Sequence, residues 1–299
     1  MDDGSGTESR RNISRRFSGK ERAMTAGMKE IMITNRNNMF QKFEVLKTNR
    51  NKRYRYHEFL VEGVRSLNEA VKNHWKIKSF LYDKNRLSDW AAGMLREVGT
   101  KENYCLTAEL MRQLSGKEDT SELMAVIEMR EDALRDVSLS EVPFLVLFDR
   151  PSNRGNLGTL IRSCDALGAD MLLLTGHGVD LYDPDVVVSA MGSFFKVPVI
   201  RIADNSTLFD YVRKLKREHP GFVTVGTTAH DKTPVSAVDL TVPLMLMVGN
   251  ETKGLCSAFA QACDVLCTIP MAKDSGASSF NVSCAASILM YEVTRQRGK

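Results

Sequence analysis

Three polar loops hold the residue types that could do chemistry in this chain. The first, PSNRGNLGTLIRS, follows the apolar run EVPFLVLFD and carries Asn156 and Arg162. The second, GNETKGL, and the third, PMAKDSGASSF, also follow apolar runs. A guanidinium such as that of Arg162 can hold a phosphate and stabilise a developing negative charge. Taken singly, each loop is also consistent with ordinary turn and helix-capping chemistry.

The loops do not match the common nucleotide-binding patterns, and the chain shows no metal-binding pattern. The dinucleotide fingerprint G-x-G-x-x-G is absent, and GNETKGL lacks the G-x-x-x-x-G-K-[ST] spacing of a P-loop. The six Cys form no C-x-x-C pair, and the five His are scattered. Asp180, Asp183 and Asp185 do not have the spacing of an EF-hand, and helix-start chemistry accounts for them. We therefore expect no metal site.

Composition limits the class of protein. The 299 residues are 43% apolar, which suffices for a sizeable core and two domains. No apolar run reaches the length of about 18 residues that predicts a membrane span. The first residues lack the apolar segment of a secretory signal. These features predict a cytoplasmic protein with reduced thiols.

The basic charge is concentrated at the start of the chain. Residues 1–57 hold 14 Lys and Arg against 6 Asp and Glu, although the whole chain carries a net charge of only +4. The stretch KTNRNKRYRYH mixes cations with aromatic rings, which suit the phosphates and unstacked bases of RNA. A solvated loop or helix face is the alternative interpretation. The candidate RNA contacts in this stretch are Lys47, Arg50, Lys52, Arg53, Tyr54 and Arg55.

The chain before residue 143 is predicted to form a tail and a small domain. Residues 1–26 are rich in Ser and Arg and short of large apolar groups, which predicts a disordered basic tail. Residues 27–136 predict an α/β domain, and residues 137–142 predict a linker. Within the domain, we predict helices over residues 27–46, 64–71, 87–98 and 108–114, and strands over residues 59–63, 77–83 and 123–129.

From residue 143 onward, apolar runs alternate with helical patterns. Strands are predicted at FLVLFD, DMLLLTG, VPVIRIA, GFVTVGT, PLMLMVG and DVLCTIP, and helices over residues 159–167, 185–192, 207–218, 255–262 and 281–295. Strands that are apolar throughout and separated by helices predict a parallel sheet covered by helices on both faces. Such sheets bind ligands at the carboxyl ends of their strands, where the three polar loops are expected to lie.

The order of the three loops carries a resemblance to a known family. The patterns N-x-G-x-x-x-R (residues 156–162), G-N-E-x-x-G (residues 249–254) and S-x-N-V-S (residues 279–283) occur in that order. Residues 143–299 thereby resemble the SpoU (TrmH-like) branch of the SPOUT RNA methyltransferases. Residues 42–130 resemble, more weakly, the small substrate-binding domain of the members that act on ribosomal RNA.

The resemblance implies a fold, a methyl donor and a reaction. The fold is α/β, with a C-terminal trefoil knot in the catalytic domain and a smaller α/β substrate-binding domain before it. The implied donor is S-adenosylmethionine (AdoMet), the reaction is methylation of a ribose 2′-hydroxyl, and the assembly is a homodimer with the active site near its interface. The expected substrate is ribosomal RNA, specifically 23S. Transfer RNA, or a non-catalytic RNA-binding role in ribosome assembly, is the alternative.

Residue roles are implied by the same resemblance. The implied catalytic residues are Arg162, Asn156, Glu251, Ser279 and Asn281. The implied AdoMet contacts are Leu246, Val248, Gly249, Asn250, Gly254, Ile269, Met271, Ser279 and Asn281, and Ser193 falls in a segment that lines the substrate cleft of relatives. Because a guanidinium hardly deprotonates, Arg162 is expected to hold a phosphate and stabilise the alkoxide. Asn156 and Asn281 could instead be helix caps.

Overall fold

The structure is a computed structural model that describes residues 29–229 and 232–298. The predicted basic tail, residues 1–26, lies outside the described residues. The described chain builds two sheets, one of five strands and one of seven. No helix in this part of the chain combines the length and the apolar character that crossing a membrane requires.

The first sheet is mixed and has the strand order β1-β4-β3-β5-β2. Its strands are β1 (Lys29–Ile33), β2 (Glu58–Glu62), β3 (Ile77–Tyr82), β4 (Glu102–Leu106) and β5 (Leu123–Glu128). The helices around it are α1 (Asn38–Thr48), α2 (Arg50–Tyr56), α3 (Val64–Lys72), α4 (Asp89–Glu97) and α5 (Ala108–Ser115). Strand β5 runs antiparallel to both β2 and β3, whereas β4 runs parallel to β1 and β3.

The helix predicted over residues 27–46 is wrong at its start. Residues Lys29–Ile33 form an edge strand paired with β4, a strand that the sequence patterns also missed. Helix α1 begins only at Asn38, because the side chain of Asn37 accepts hydrogen bonds from the amides of Met39 and Phe40. The basic stretch then forms the end of α1 and the short helix α2 rather than a loop.

The second sheet is parallel throughout, with the order β10-β12-β9-β11-β6-β7-β8. Its strands are β6 (Phe144–Asp149), β7 (Met171–Thr175), β8 (Val199–Arg201), β9 (Val223–Thr227), β10 (Thr233–Pro234), β11 (Leu244–Val248) and β12 (Val265–Thr268). Its helices are α6 (Arg154–Ala166), α7 (Pro184–Ser189), α8 (Asn205–Glu218), α9 (Ser257–Ala262) and α10 (Val282–Gln296). This sheet confirms the predicted α/β class; the two-residue β10 was not predicted.

The central strands are buried on both faces. Every residue of β6, β7 and β11 is buried. Alternate residues separate into two cores: Leu145 and Leu147 pack on the side of α8, whereas Val146 and Phe148 pack on the side that also contains α6 and α10. The period of two follows from the geometry of a strand. Helices on both faces leave the carboxyl ends of the strands for a ligand.

The two sheets share one core. Phe59 of the first sheet lies 4.9 Å from Tyr182 and 5.7 Å from Phe194, measured between ring centroids. The ring of Trp75 packs on Phe194 and Phe195, and its Nε1 donates a hydrogen bond of 2.9 Å to the carbonyl oxygen of Phe195. Such aromatic packing buries a large apolar area. The first sheet is therefore packed onto the second rather than tethered to it.

A buried ion pair reinforces this junction. The guanidinium of Arg53 donates to Asp180 at 2.6 and 2.8 Å, and the Arg53 side chain is only 2% exposed. The same guanidinium donates to the carbonyl oxygens of Leu46 and Lys47 at the end of α1. Arg53 thus connects α1, α2 and the loop before α7.

Candidate active site and RNA cleft

A cavity of about 560 Å³ lies at the carboxyl ends of β9, β11 and β12. Of the predicted AdoMet contacts, it is lined by Val248, Gly249, Asn250, Gly254, Ile269, Met271 and Ser279. Leu246 is buried inside β11 and does not line the cavity; Asn281 lies between two residues that do. Other lining residues were missed, among them Thr227, Leu255, Thr268, Phe280 and Leu289. Thr227 could have been identified from the sequence, because it is the last residue of the predicted strand GFVTVGT.

The GNETKGL turn closes tightly on itself. A Cβ on Gly249 would lie 2.1 Å from the amide nitrogen of Leu255 and 2.3 Å from the carbonyl carbon of Gly254. No other residue type fits at this position. The Asn250 side chain accepts hydrogen bonds from the amides of Thr252 and Lys253 and donates one of 2.7 Å to the carbonyl oxygen of Arg150. The turn is therefore fixed against the loop that follows β6.

Helix α6 begins earlier than predicted. Its N-cap is Asn153, whose side chain accepts a hydrogen bond of 2.9 Å from the amide of Asn156. The prediction that Asn156 caps this helix is therefore wrong, and its side chain is available for other contacts. Because the helix starts at Arg154 rather than at residue 159, Arg162 lies in its third turn.

The side chain of Asn156 connects the three sequence patterns. Its Nδ2 donates to Glu251 at 3.4 Å, and its Oδ1 accepts from Nδ2 of Asn281 at 3.1 Å and from the hydroxyl of Ser283 at 3.4 Å. Asn281 also caps α10, since its side chain accepts from the amides of Ser283 and Cys284. The Asn281 side chain therefore both caps α10 and contacts Asn156 in the candidate site. Ser279 lies at the surface on the cavity rim.

The carboxylate of Glu251 lies at the amino end of α6. It accepts hydrogen bonds from the hydroxyl of Ser152 at 2.6 Å and from the amides of Ser152 and Asn153 at 3.0 Å. Burial by itself would raise the pKa of Glu251, but these hydrogen bonds outweigh it and hold the pKa below the ordinary value of 4.5. Glu251 is therefore an ionised anchor at neutral pH, which makes it a poor general base.

We expect Glu251→Gln to reduce the loss of thermal stability that occurs as the pH falls. A carboxylate with a lowered pKa in the folded state stabilises the protein above its unfolded pKa, and this contribution is lost as pH falls through the folded value. Between about pH 5 and pH 3, the Tm of the wild type should therefore fall more than that of the variant. Thermal unfolding across this range measures the difference. Glu141→Gln, at an exposed position, is the matched control, and an equally flattened profile for it would contradict the assignment.

Arg162 is exposed and lies outside the cavity of its own chain. Among residues 29–229 and 232–298, the structure records no hydrogen bond or ion pair for its guanidinium. Helix α6 packs against α10, where the hydroxyls of Ser163 and Ser287 are 2.7 Å apart, and against α7 at Gly158. Arg162 projects from the strip between these two contacts.

The predicted RNA contacts divide into buried and exposed groups. The prediction is wrong for Arg53, because its guanidinium is buried against Asp180. It is also wrong for Ser193, which is 6% exposed and donates to Asp165 at 2.7 Å. The ammonium of Lys47 donates to the last carbonyl oxygens of α5. The remaining four are at or near the surface: Arg50, Lys52, Tyr54 and Arg55.

The acidic residues near α7 have structural partners. Asp183 caps this helix by accepting from the amide of Asp185, as the sequence predicted. Asp180 instead pairs with Arg53. Within the described ranges, no group of three or more His, Cys, Asp or Glu side chains could hold a metal ion.

A second cavity, of about 1450 Å³, lies between helices α1 and α2 and the loops of the second sheet, and is called here the interdomain cleft. Its lining residues come from both halves of the chain and include Arg50, Arg53, Arg150, Arg154, His177, Asp180, Asp183 and Lys253. Asn250, Thr252 and Lys253 line both the cleft and the 560 Å³ cavity. The two cavities therefore adjoin at the GNETKGL turn. Sequence reasoning missed Arg150, Arg154, His177 and Lys253.

Comparison with known proteins gives the same family over most of the chain. A family model described as the SpoU rRNA Methylase family matches residues 143–291, and one described as a SpoU L30e-like domain matches residues 37–125. A 23S rRNA (uridine(2479)-2′-O)-methyltransferase of Streptomyces viridochromogenes is 43% identical over 267 residues, covering 89% of this chain and 92% of the relative. A 23S rRNA (guanosine(2553)-2′-O)-methyltransferase of Bacillus subtilis is 31% identical, covering 79% and 88%.

A solved structure shares the fold over nearly the same span. The crystal structure of the SpoU methyltransferase AviRb from Streptomyces viridochromogenes, in complex with the cofactor AdoMet, superposes with a TM-score of 0.83 at 42% identity. The match covers 88% of this chain and 99% of that one.

Proposed function

The chain belongs to the SpoU rRNA methylase family, and from this membership we propose that it transfers a methyl group from AdoMet to a ribose 2′-hydroxyl of 23S rRNA. The observation that carries the proposal is the contact between all three sequence patterns at Asn156, beside a cavity at the strand ends. Relatives that are 43% and 31% identical carry names that specify this reaction on 23S rRNA.

The 560 Å³ cavity fits AdoMet. Its volume falls within the range of about 300–1,000 Å³ that is usual for small-molecule sites. Gly249 and Gly254 line the cavity without side chains, so their backbone groups can hold an adenine or a ribose, while Ile269, Met271 and Leu289 supply apolar surface. When bound, AdoMet supplies a methyl group on a sulfonium centre.

The chain's own residues must orient the ribose and stabilise the charge that develops on its hydroxyl oxygen. Asn156 and Asn281 hold each other in place, so their amides give a fixed polar edge beside the cavity. Arg162 supplies a positive charge that can hold the neighbouring phosphate and stabilise the negative charge that develops on the oxygen as the hydroxyl proton passes to solvent and the methyl group is transferred from the sulfonium. Glu251 has no acid–base role in this scheme, because its carboxylate is engaged by the loop before α6.

Methyl transfer to RNA tests the proposal directly. The protein is incubated with tritiated AdoMet and total ribosomal RNA from a strain that lacks the gene. Label in 23S rRNA that maps to an alkali-resistant dinucleotide supports ribose methylation and locates the nucleotide. Label only in transfer RNA would replace the substrate. AdoMet binding without label in either RNA would favour the non-catalytic role.

We also propose that the protein is a homodimer through a surface formed by α6 and α10. Thr159, Arg162 and Ala166 are exposed on one strip of α6, and beside it Ile288 and Tyr291 of α10 are 39% and 59% exposed. Exposed apolar side chains around an unpaired cation are typical of an interface. Arg162 does not line the cavity of its own chain, and we propose that pairing of two copies through this surface brings it close to the cavity of the partner.

Tyr291→Asp should weaken this dimer at least about tenfold, because it places a charge in the apolar centre of the surface. Light scattering over a range of protein concentrations measures the change in Kd. Tyr56→Asp, at an exposed position on α2, is the control and should not change the mass. A wild type that remains a monomer at all concentrations would disprove the dimer.

The family's trefoil knot and the cellular location are further parts of the proposal. The bonding of the GNETKGL turn to the loop before α6, with α10 starting beside both, supports the knot, which a crystal structure would test. All six Cys are free thiols, which supports a cytoplasmic location. Cell fractionation would test that location.

A further inference from the structure

The interdomain cleft carries five guanidinium and ammonium groups. These cations are Arg50, Arg53, Arg150, Arg154 and Lys253. Three carboxylates, those of Asp180, Asp183 and Asp185, line the same cleft, so cations are in excess and the cleft attracts the phosphates of a nucleic acid. Which of the cations can bind a phosphate depends on the partners that each already has within the protein.

Four of the five cations have protein partners. Arg53 pairs with Asp180, and Arg150 pairs with Asp149 at 2.8 Å. Arg154 lies 3.0 Å from the carboxylate of Asp183, and Arg50 donates to the carbonyl oxygen of Gly178 at 3.1 Å. These contacts chiefly fix the walls of the cleft.

Lys253 differs from the other four. Within the described ranges, the structure records no hydrogen bond or ion pair for its ammonium group, and the side chain is exposed. Its backbone is nonetheless held in place, because its amide donates to the side chain of Asn250, and Asn250 pairs with Gly254 across the turn. Lys253 thus presents an unpaired charge from a rigid support.

The position of Lys253 limits what its partner can be. It lines both the interdomain cleft and the cofactor cavity, so Lys253 lies where the two spaces meet. An anion at this point is either the carboxylate of AdoMet or a phosphate of the RNA. The wide cleft, its charge and its continuity with the exposed basic face of α2 favour the phosphate.

We propose that Lys253 is a positioning residue that holds a backbone phosphate of the RNA beside the ribose to be methylated. This inference rests on the proposed function, since it requires RNA in the cleft and AdoMet in the cavity. Lys253 contacts the substrate strand and orients it, while Arg162 and Asn156 act at the ribose that is methylated.

Three measurements on Lys253→Ala decide the inference. The affinity for protein-free 23S rRNA, by filter binding at 0.1 M salt, should fall about five- to tenfold. The slope of log K against log salt should become shallower by about 0.7–0.9, as expected for one lost phosphate contact. The AdoMet Kd, by calorimetry, should stay within about twofold. Lys253→Arg should keep most of the RNA affinity, because it keeps the charge.

Lys214→Ala is the matched control, since Lys214 is an exposed lysine on α8 that lines neither cavity. It should leave the RNA affinity and the salt slope unchanged. Unchanged RNA affinity in Lys253→Ala, or a loss of AdoMet affinity as large as the loss of RNA affinity, would overturn the inference. Filter binding needs no turnover, so a wild type that binds 23S rRNA without methylating it contradicts the proposed function alone.

Discussion

Replacement of Arg162 by Ala should lower kcat for methyl transfer by about 10²–10³-fold and leave the AdoMet Kd unchanged. The magnitude is that of removing one preorganised donor to a developing oxyanion. AdoMet binding should be unaffected, because the cavity is formed without Arg162 and the proposed partners of its guanidinium are the RNA phosphate and the alkoxide. Single-turnover methylation of 23S rRNA gives the rate, and calorimetry gives the Kd.

Arg162→Lys separates two roles for this residue. If Arg162 acts electrostatically through a bidentate contact with a phosphate, the Lys variant should keep partial activity, and the rate should not titrate near neutral pH. A general-base role predicts instead a rate whose apparent pKa changes with the residue at position 162. Arg217→Ala, at an exposed position on α8, is the control and should retain full activity.

The second large effect concerns stability. Arg53→Ala should lower the free energy of unfolding by about 3–5 kcal/mol, because it leaves Asp180 buried without its partner. The substitution also leaves the carbonyl oxygens of Leu46 and Lys47 without their donor. Urea denaturation followed by fluorescence measures the change.

The double variant Arg53→Met, Asp180→Leu tests the cause of this loss. Removal of both charges should restore a large part of the stability lost in Arg53→Ala, since apolar groups of similar volume can replace a buried pair. Lys214→Ala breaks an exposed pair with Glu218 at 3.9 Å and should change stability by at most about 0.5 kcal/mol. If Arg53→Ala cost no more than this control, the buried pair would not hold the junction.

The sequence predicted the catalytic sheet better than the first one. Strands such as FLVLFD and LMLMV are buried on both faces, and their short apolar runs between helical patterns identified them as strands. The strand KEIMI (Lys29–Ile33) is an edge strand in which both lysine and glutamate are exposed. Only its pairing with β4, more than 70 residues away, makes it a strand. Local patterns do not contain that information.

The candidate site was likewise predicted from the sequence only in part. Two of the three short patterns, residues 249–254 and 279–283, identified loops that line the cavity, and the first pattern contacts both through Asn156. Gly and Asn at fixed spacing made these loops recognisable, because they reflect backbone geometry. Asn153 and Asn156 are both plausible caps in sequence, and only the structure shows which one starts α6. The burial of Arg53 depends on Asp180, which is 127 residues away. The number of basic residues in a stretch of sequence therefore overestimates the number of cations that RNA can contact.

The aromatic cluster between the sheets has a consequence for how the smaller domain can be exchanged. Phe59 and Trp75 belong to the smaller domain, whereas Tyr182, Phe194 and Phe195 belong to the catalytic one. A smaller domain grafted from a relative would meet these three rings without the side chains that fit them. An exchange of the whole smaller domain therefore requires that both sides of the cluster be transplanted together, because a mismatched half would leave large aromatic rings without partners.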